Sequence, residues 1–332
     1  MHSPHALSIV RAHGRDTLSF FKLRSDVLHL VGASGRALIG YAIFGGVMLV
    51  GGDPVGPADE VALLLAEARI FARDRGLRLG ILGASEELKP VAEAAGLRCM
   101  YVGDEAIVDT AEFSTSGSSM RKLRKPVLRL EREGWSVDVR RLGELSDLEV
   151  DDLEALATRA LAGAPERSFA WAMDGLRGDH QHDSVVVVGR DPDGVPHGLL
   201  HLVPSFGGRA AWSVSLMRRD AAAAPNGLMD VLVVRAIETA REEGIEEISL
   251  NFAAFSRWLR EPAGLRERAG GRCVRMGSRF IQMETLLRFN QKFRPRWEPR
   301  YLAYEGRLGF ARTGYAALRA EGQRPRQLRS SS

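Results

Sequence analysis

Cysteine is almost missing from this chain: Cys99 and Cys273 are the only two in 332 residues. They are too few for a disulfide scaffold and lie too far apart for a metal motif, so a reducing, cytoplasmic setting is expected. Long apolar runs are also missing. The uncharged stretch ALIGYAIFGGVMLVGG, between Arg36 and Asp53, is shorter than the roughly 20 residues of a spanning helix, and Gly45-Gly46 divides it. It reads as two short strands joined by a Gly-Gly turn. The opening residues MHSPHALSIVRAHGRD lack the apolar segment of a signal peptide. No GxxxxGK[ST], HExxH or GxSxG motif occurs, and no R/Q-x-x-G-x-G/A loop precedes a helix. Nucleotide hydrolysis, a serine nucleophile and the usual pyrophosphate cradle of coenzyme A-dependent transferases are therefore not signalled. The histidines at 2, 5, 13, 29, 180, 182, 197 and 201 show no metal-ligand spacing.

What is present is ordinary globular material, 45% hydrophobic and 27% charged, with enough length for two domains or one large one. The net charge of +4 hides a local excess. In RKLRKPVLRLEREG, residues Arg121, Lys122, Arg124, Lys125, Arg129 and Arg132 meet only Glu131 and Glu133. Such a helix suits a phosphate-rich partner, nucleic acid or anionic lipid; its alternative is a solvated face.

Strand-like and helix-like segments alternate along the chain, which predicts an α/β layered fold. The first part gives strands at DVLHL, RALIGYAIF, VMLV and LRLGILG, a helix from Asp59 to Arg75, a short helix at SEELKPVAEAAG, and two strands at CMYVG and EAIVD. A small-polar stretch, EFSTSGSSM, then leads into the basic helix. The second part repeats the theme from WSVDVRRL to EEISLNF. The expected division is an N-terminal domain over 1–112, linker and basic helix over 113–134, a C-terminal catalytic domain over 135–322, and a disordered tail.

Three further stretches carry candidate chemistry. In GGDPVGP, Asp53 sits in a tight turn that is either structural or ligand-facing. In SVSLMRRDAAAAPNGLMD, a strand ends in Arg218 and Arg219, and Asn226-Gly227 can cap a helix whose first turn offers free backbone amides to an anion. Regular strand geometry would put Ser215 on the face of Met217, and Arg218 on that of Leu216. In RFIQMETLLRFNQKFRPRWEPRYLAYE, Arg288, Lys292, Arg294, Arg296 and Arg300 interleave with five aromatics. That pattern fits base stacking, or a helix with an aromatic core face, the basic residues being the better candidates for function.

GGDPVGP, SLMRRDAAAAPNGLMD, EEISLNFAAF and METLLRFNQKFRPRWEPRYLAYE, in that order, resemble the catalytic domain of bacterial phosphatidylglycerol lysyltransferases, the multiple peptide resistance factor family in its actinobacterial form. The likeness runs from about His13 to Gly322. It implies two tandem acetyltransferase-like folds joined by a basic helix. It also implies transfer of an amino acid from aminoacyl-tRNA to a phosphatidylglycerol hydroxyl, without metal or nucleotide cofactor. By the same resemblance Arg218 matches the arginine of a D-L-M-R-R motif, serving the terminal phosphate or the oxyanion. Lys292 matches a K-F-x-P-x-W lysine, serving the tRNA end or charge stabilisation. Ser215 stands in place of the motif's aspartate, at a catalytic position. Asn251 and Glu284 are expected in the amino-acid pocket, with Asn226, Asp230 and Asp53 as further substrate-binding candidates. Arg121, Lys122, Arg124, Lys125, Arg129, Arg294 and Arg296 would hold tRNA phosphates. The expected partners are aminoacyl-tRNA and an anionic phospholipid, with peripheral contact at the inner face of the membrane. Competing readings keep the donor but use a soluble amine or hydroxyl acceptor, or make the chain a non-catalytic tRNA- or membrane-binding module; a coenzyme A-dependent acetyltransferase ranks behind them.

Overall fold

The computed structural model describes residues 5–161, 173–254, 256–257, 280–306 and 309–322. By compactness the chain forms two units. Among the described residues, one comprises 5–102 with Met173, 300–306 and 309–322; the other comprises 103–161 with 174–254, 256–257 and 280–299. Strands and helices alternate in both, so the α/β class expected from the sequence is the one observed.

In the first unit, after helix α1 (Ala6–His13), β1 (Leu28–Val31), β2 (Leu38–Phe44) and β3 (Val47–Gly51) form an antiparallel meander. The tight turn between β2 and β3 is Gly45-Gly46, both at positive φ, which only glycine adopts without strain. The uncharged run is therefore a hairpin, as its glycines imply. Helix α2 (Ala58–Asp74) crosses over to β4 (Arg78–Ala84), parallel to β3. Leu64, Leu65 and Ala68 of α2 pack with Ile39, Met48, Val50, Leu79 and Ile81, joined by Leu88 and Ala92 of α3 (Leu88–Ala94). Beyond β4 come the second half of β11 (Arg296–Glu305) and the first half of β5 (Leu97–Asp109). Helix α8 (Gly309–Gly322) lies on β2, β3 and β4.

A buried ionic network ties this unit's turns together. Arg300 Nη2 donates to Asp16 Oδ1 (2.7 Å) and Lys22 Nζ to the Gly51 carbonyl (2.9 Å). Asp53 accepts from the Ser85 amide (2.9 Å) and hydroxyl (2.6 Å). Burial and then the neighbouring Asp16 charge push the Asp53 carboxyl up to about 6, and burial brings the Lys22 ammonium down to about 8.

The second unit holds the rest of β5, then β10 (Glu247–Ala254), β9 (Ala211–Arg219), β8 (Pro196–Ser205), β7 (Val185–Arg190) and β6 (Ser136–Arg141), in that order. Strands β6 to β9 are an antiparallel meander, and α6 (Leu228–Glu242) is the crossover that makes β9 and β10 parallel. Leu228, Leu232, Val233 and Ile237 of α6 meet Leu200, Leu202, Trp212 and Val214 in the core. The basic helix α4 (Arg121–Arg132) packs on α6 through Leu123, Val127 and Leu130. Helix α5 (Asp147–Leu161) lies against β8 and β9, and α7 (Phe280–Gln291) against β10.

Two expectations are corrected. CMYVG and EAIVD are one continuous strand, because Gly103 is held close against Phe252 and Ala253 while Asp104 and Glu105 find partners in Ser256 and Ser249. The interleaved run is not one helix: α7 ends at Gln291, Arg294 takes positive φ before Pro295, and the chain continues as β11. Its aromatics are largely core, with Phe293 and Tyr301 buried. The tail beyond 322 lies outside the described residues.

Gly227 has φ +87, and a Cβ there would stand 2.7 Å from Pro126 of α4. Gly227→Ala should destabilise by about 2–4 kcal/mol in urea unfolding. Gly314→Ala, on α8 with nothing within 4 Å of the added methyl, should stabilise by about 0.5–1 kcal/mol. Because the folded-state pKa of Asp53 is raised from 3.8 to about 6, its favourable contribution is complete below 3.8 and lost as pH rises through 6. Asp53→Asn, which can keep both Ser85 bonds, should flatten stability between pH 4 and 6 and leave it no lower at pH 7; a steeper profile would contradict the network as described.

Candidate functional site

Strands β9 and β10 pair only through Ala211, Trp212 and Ser213 with Glu247, Ile248 and Ser249. Just past that point each strand carries one residue too many for its other neighbour. Leu202 pairs with Val214 but His201 with Leu216, so Ser215 is the extra residue of β9. On β10, Ser249 pairs with Ile107 and Phe252 with Glu105, which leaves Leu250 and Asn251 opposite Ala106 alone. Two bulges at one level bend the parallel strands out of register, at their C-terminal ends, where ligands of α/β sheets bind.

The polar groups released by this break are retaken locally. Asn251, at φ +73, donates from Nδ2 to the Val214 carbonyl (3.1 Å) and accepts from the Phe252 amide (2.7 Å). The buried Ser215 hydroxyl accepts from the Asp174 amide (2.9 Å). The Asp174 carboxylate in turn takes Gln181 Nε2 (2.7 Å) and the Gly175 amide (2.8 Å), and His180 Nε2 lies 2.8 Å away. His201, on the adjacent strand, is fully buried, and neither ring nitrogen has a hydrogen-bond partner among the described residues. Burial drives its pKa down to about 4 against the opposing pull of Asp174, which keeps the imidazole neutral.

Arg218 stands on the face of Leu216, as expected, opposite Leu199 at the outer end of β9, and donates from Nη1 to the Met217 carbonyl (2.9 Å). The next element, α6, begins at Leu228 with its N-terminus toward that same end. The helix-start expectation needs adjustment: Gly227 is the capping residue and makes no side-chain cap bond, whereas the Asn226 carbonyl receives Arg129 of α4. Proline 126 fits against Gly227 because a side chain there has no room. The Pro-Asn-Gly turn thus serves as the docking point of the basic helix.

Asp230, buried in the first turn of α6, holds Lys292 through both oxygens (2.8 and 2.9 Å), joining the end of α7 to the start of α6. Glu284, also on α7, pairs with Arg288. On α4, Arg124 is turned back to the Thr115 (2.8 Å) and Gly117 (3.1 Å) carbonyls, while Arg121, Lys122 and Lys125 are exposed and have no ion pair among the described residues. Arg294 is exposed in the turn before β11. Arg296 is occupied at the far end of β10 by Glu247 (3.0 Å) and by Glu298 (2.7 Å). Asp53 belongs to the other unit's ionic network, and Arg300 lies buried in that network. Asp174 and His201 sit in no sequence motif; the histidine inside the apolar strand GLLHLVPSF is the one local signal.

No group of three metal-ligating side chains occurs among the described residues. No helix among them is long and apolar enough to cross a membrane.

Residues 7–304 match the family described as phosphatidylglycerol lysyltransferase, C-terminal. The chain is 35% identical over 322 residues to the lysylphosphatidylglycerol biosynthesis bifunctional protein LysX of Gordonia bronchialis, covering 95% of this chain and 28% of that protein. It is 36% identical over 311 residues to the protein of that name from Mycobacterium marinum, covering 92% and 28%. It therefore spans little more than a quarter of the length of these relatives. Among solved structures, the C-terminal domain of the Agrobacterium fabrum protein described as a lysylphosphatidylglycerol synthetase superposes with a TM-score of 0.77 at 28% identity, covering 96% of this chain and 93% of that one. L-PGS from Bacillus licheniformis superposes with a TM-score of 0.76 at 24% identity, covering 97% and 98%, and shares the fold. The chain belongs to the phosphatidylglycerol lysyltransferase C-terminal family.

Proposed function

We propose that the second unit transfers an aminoacyl group, lysyl in the first instance, from aminoacyl-tRNA to a hydroxyl of phosphatidylglycerol. The observation that carries this reading is the opening between β9 and β10, with Arg218 on one rim and the basic helix docked at the start of α6. The lysyl group and the lipid acceptor come from the names of the relatives; the tRNA donor comes from the sequence resemblance and from the cations of α4.

The chemistry asks little of the protein beyond placement and charge. The acceptor oxygen adds to the ester carbonyl, the oxyanion collapses, and the terminal tRNA oxygen leaves with the proton that the acceptor gave up. An ester is already activated, so no covalent enzyme intermediate is needed. Arg218 supplies positive charge for the oxyanion or the terminal phosphate. Asp174, anchored beside the β9 bulge, supplies a carboxylate for the side-chain ammonium of the lysyl group, and the neutral His201 and Asn251 help line that end. Lys292 acts mainly by holding Asp230 and the two helix ends together, with its partly exposed ammonium adding to the field.

The test is transfer of radiolabelled lysine from lysyl-tRNA to phosphatidylglycerol vesicles, read by thin-layer chromatography. Arg218→Ala should lower kcat/KM by roughly 10²–10³-fold with the fold retained, the scale on which an oxyanion donor acts. Asp174→Asn should reduce lysyl transfer far more than alanyl transfer; equal losses would remove Asp174 from amino-acid recognition. Replacing Arg121, Lys122 and Lys125 by Gln should weaken tRNA binding and lower the slope of log K against log salt by about 2–3. An unchanged slope would place the tRNA elsewhere. Labelled product forming only with a soluble hydroxyl or amine would replace the lipid acceptor, and no product with any acceptor would leave a binding module.

A further inference from the structure

Helix α8 is packed the wrong way round for a helix that lives in water. Its inner side consists of small residues, Thr313, Ala316, Ala317 and Ala320, all buried. Its outer side carries Phe310, Tyr315 and Leu318 at 39%, 55% and 52% exposure. Large apolar groups are the ones that gain most from burial, so an amphipathic helix ordinarily turns them inward. Rotation cannot correct this arrangement: Thr313 is pressed onto β4 so closely that a Cβ on Gly80 would stand 2.4 Å from its methyl group.

We propose that the outer face of α8 docks the first unit onto the surface of an anionic phospholipid bilayer. At 100° per residue, Phe310, Leu318 and Tyr315 fall within a face of about 140°, and Arg319 and Arg312 border it on the Tyr315 side. Glu321, the helix's single acidic residue, falls at the Phe310 side. The ten residues that follow add Arg324, Arg326 and Arg329 and no acid. An aromatic and aliphatic face with arginines along one edge matches the boundary between headgroups and acyl chains: the rings and Leu318 enter, and the guanidinium groups remain with the phosphates. Arg319 Nη1 already lies 3.4 Å from the Tyr315 hydroxyl, along that edge. Charge selects a bilayer over a generic protein surface. Helix α2 also exposes Leu63 and Ile70, yet Asp59, Glu60, Glu67 and Asp74 on the same helix would repel an anionic surface. That helix provides an internal control.

The usefulness of such a surface rests on the lipid-acceptor reading, but its measurement needs neither tRNA nor lysine, so binding can succeed where transfer fails and the reverse. The full chain is sedimented with vesicles of phosphatidylcholine alone and of phosphatidylcholine mixed equally with phosphatidylglycerol. Binding to the mixed vesicles should exceed binding to the neutral ones by at least about tenfold and weaken with salt. Phe310→Ser/Tyr315→Ser/Leu318→Ser should lower the partition coefficient by about tenfold or more, and Arg312→Gln/Arg319→Gln should remove most of the preference for the anionic vesicles. Leu63→Ser/Ile70→Ser should change neither. Equal binding to both vesicle types, or an unchanged triple variant, would overturn the proposal. So would a triple variant that converts a dimer into a monomer on sizing, since the face would then be covered by a second copy.

Discussion

Two strands that share one hydrogen-bonded edge can open only if the backbone groups at the break find other partners, and this constraint organises the second unit. Past Ser213 and Ser249, each unpaired amide or carbonyl buried in the gap would cost about 1–3 kcal/mol. Asn251 answers for the Val214 carbonyl by adopting a left-handed conformation that few non-glycine residues take. Ser215 is the other half of the solution: as the extra residue of β9 it leaves the ladder, and its hydroxyl meets the Asp174 amide. The bulges therefore create the opening and fix the polar groups that face it. Asp174 and Arg218 inherit their places from this event, one bonded to the extra residue and the other three positions further along the bent strand.

Charge placement follows a related logic in both units. A buried carboxylate is tolerable only when matched, and truncating one partner of such a pair typically costs 3–5 kcal/mol. Asp230 is matched by Lys292, which is why the ends of α6 and α7 stay together. Asp16 is matched by Arg300, linking the N-terminal segment to β11 across 284 residues of sequence. Burial opposes its ionisation, and Arg300 and Lys22 outweigh that, holding its pKa below the usual carboxylate range. Asp53, the second carboxylate of the cluster, is left with the raised pKa because it is buried and because the Asp16 charge beside it adds like-charge repulsion. A residue so placed is a structural strut, and its Gly-Asp-Pro turn says nothing of that by itself.

The elements legible in the sequence were those with a clean period: the Gly-Gly hairpin, α2, the valine-rich β7, and α6. Legibility failed where a long-range contact overrode local chemistry. Gly103-Asp104-Glu105 reads as a turn, yet Phe252, Ser249 and Ser256 supply what a strand needs there. Basic and aromatic residues from 288 to 304 read as one pattern because the switch from helix to strand at Pro295 leaves the interleaving intact. Of the candidate site, Arg218, Ser215, Asn251, Asp230 and Lys292 all stand on the elements around the opening. Asp174 and His201 were invisible because their significance lies in a bulge one strand away, and no spacing rule encodes a register shift.

Net charge does not separate a nucleic acid from a lipid surface, since both present phosphates. What lies between the charges does. Helix α4 turns Leu123, Val127 and Leu130 inward and leaves Arg121, Lys122 and Lys125 in water with Leu128 exposed beside them, a face that offers a polyanion cations and less apolar contact than α8 does. Helix α8 does the reverse, burying alanines and presenting Phe310, Tyr315 and Leu318 with arginines along one edge. A hydrated RNA backbone returns nothing for the exposed rings, whereas a bilayer returns roughly 25 cal/mol for each Å² of apolar surface removed from water. On the proposed reading, apolar content separates the two anionic partners: α4, with its excess of cations, meets the donor, and α8, with three large apolar side chains outward, meets the membrane that holds the acceptor.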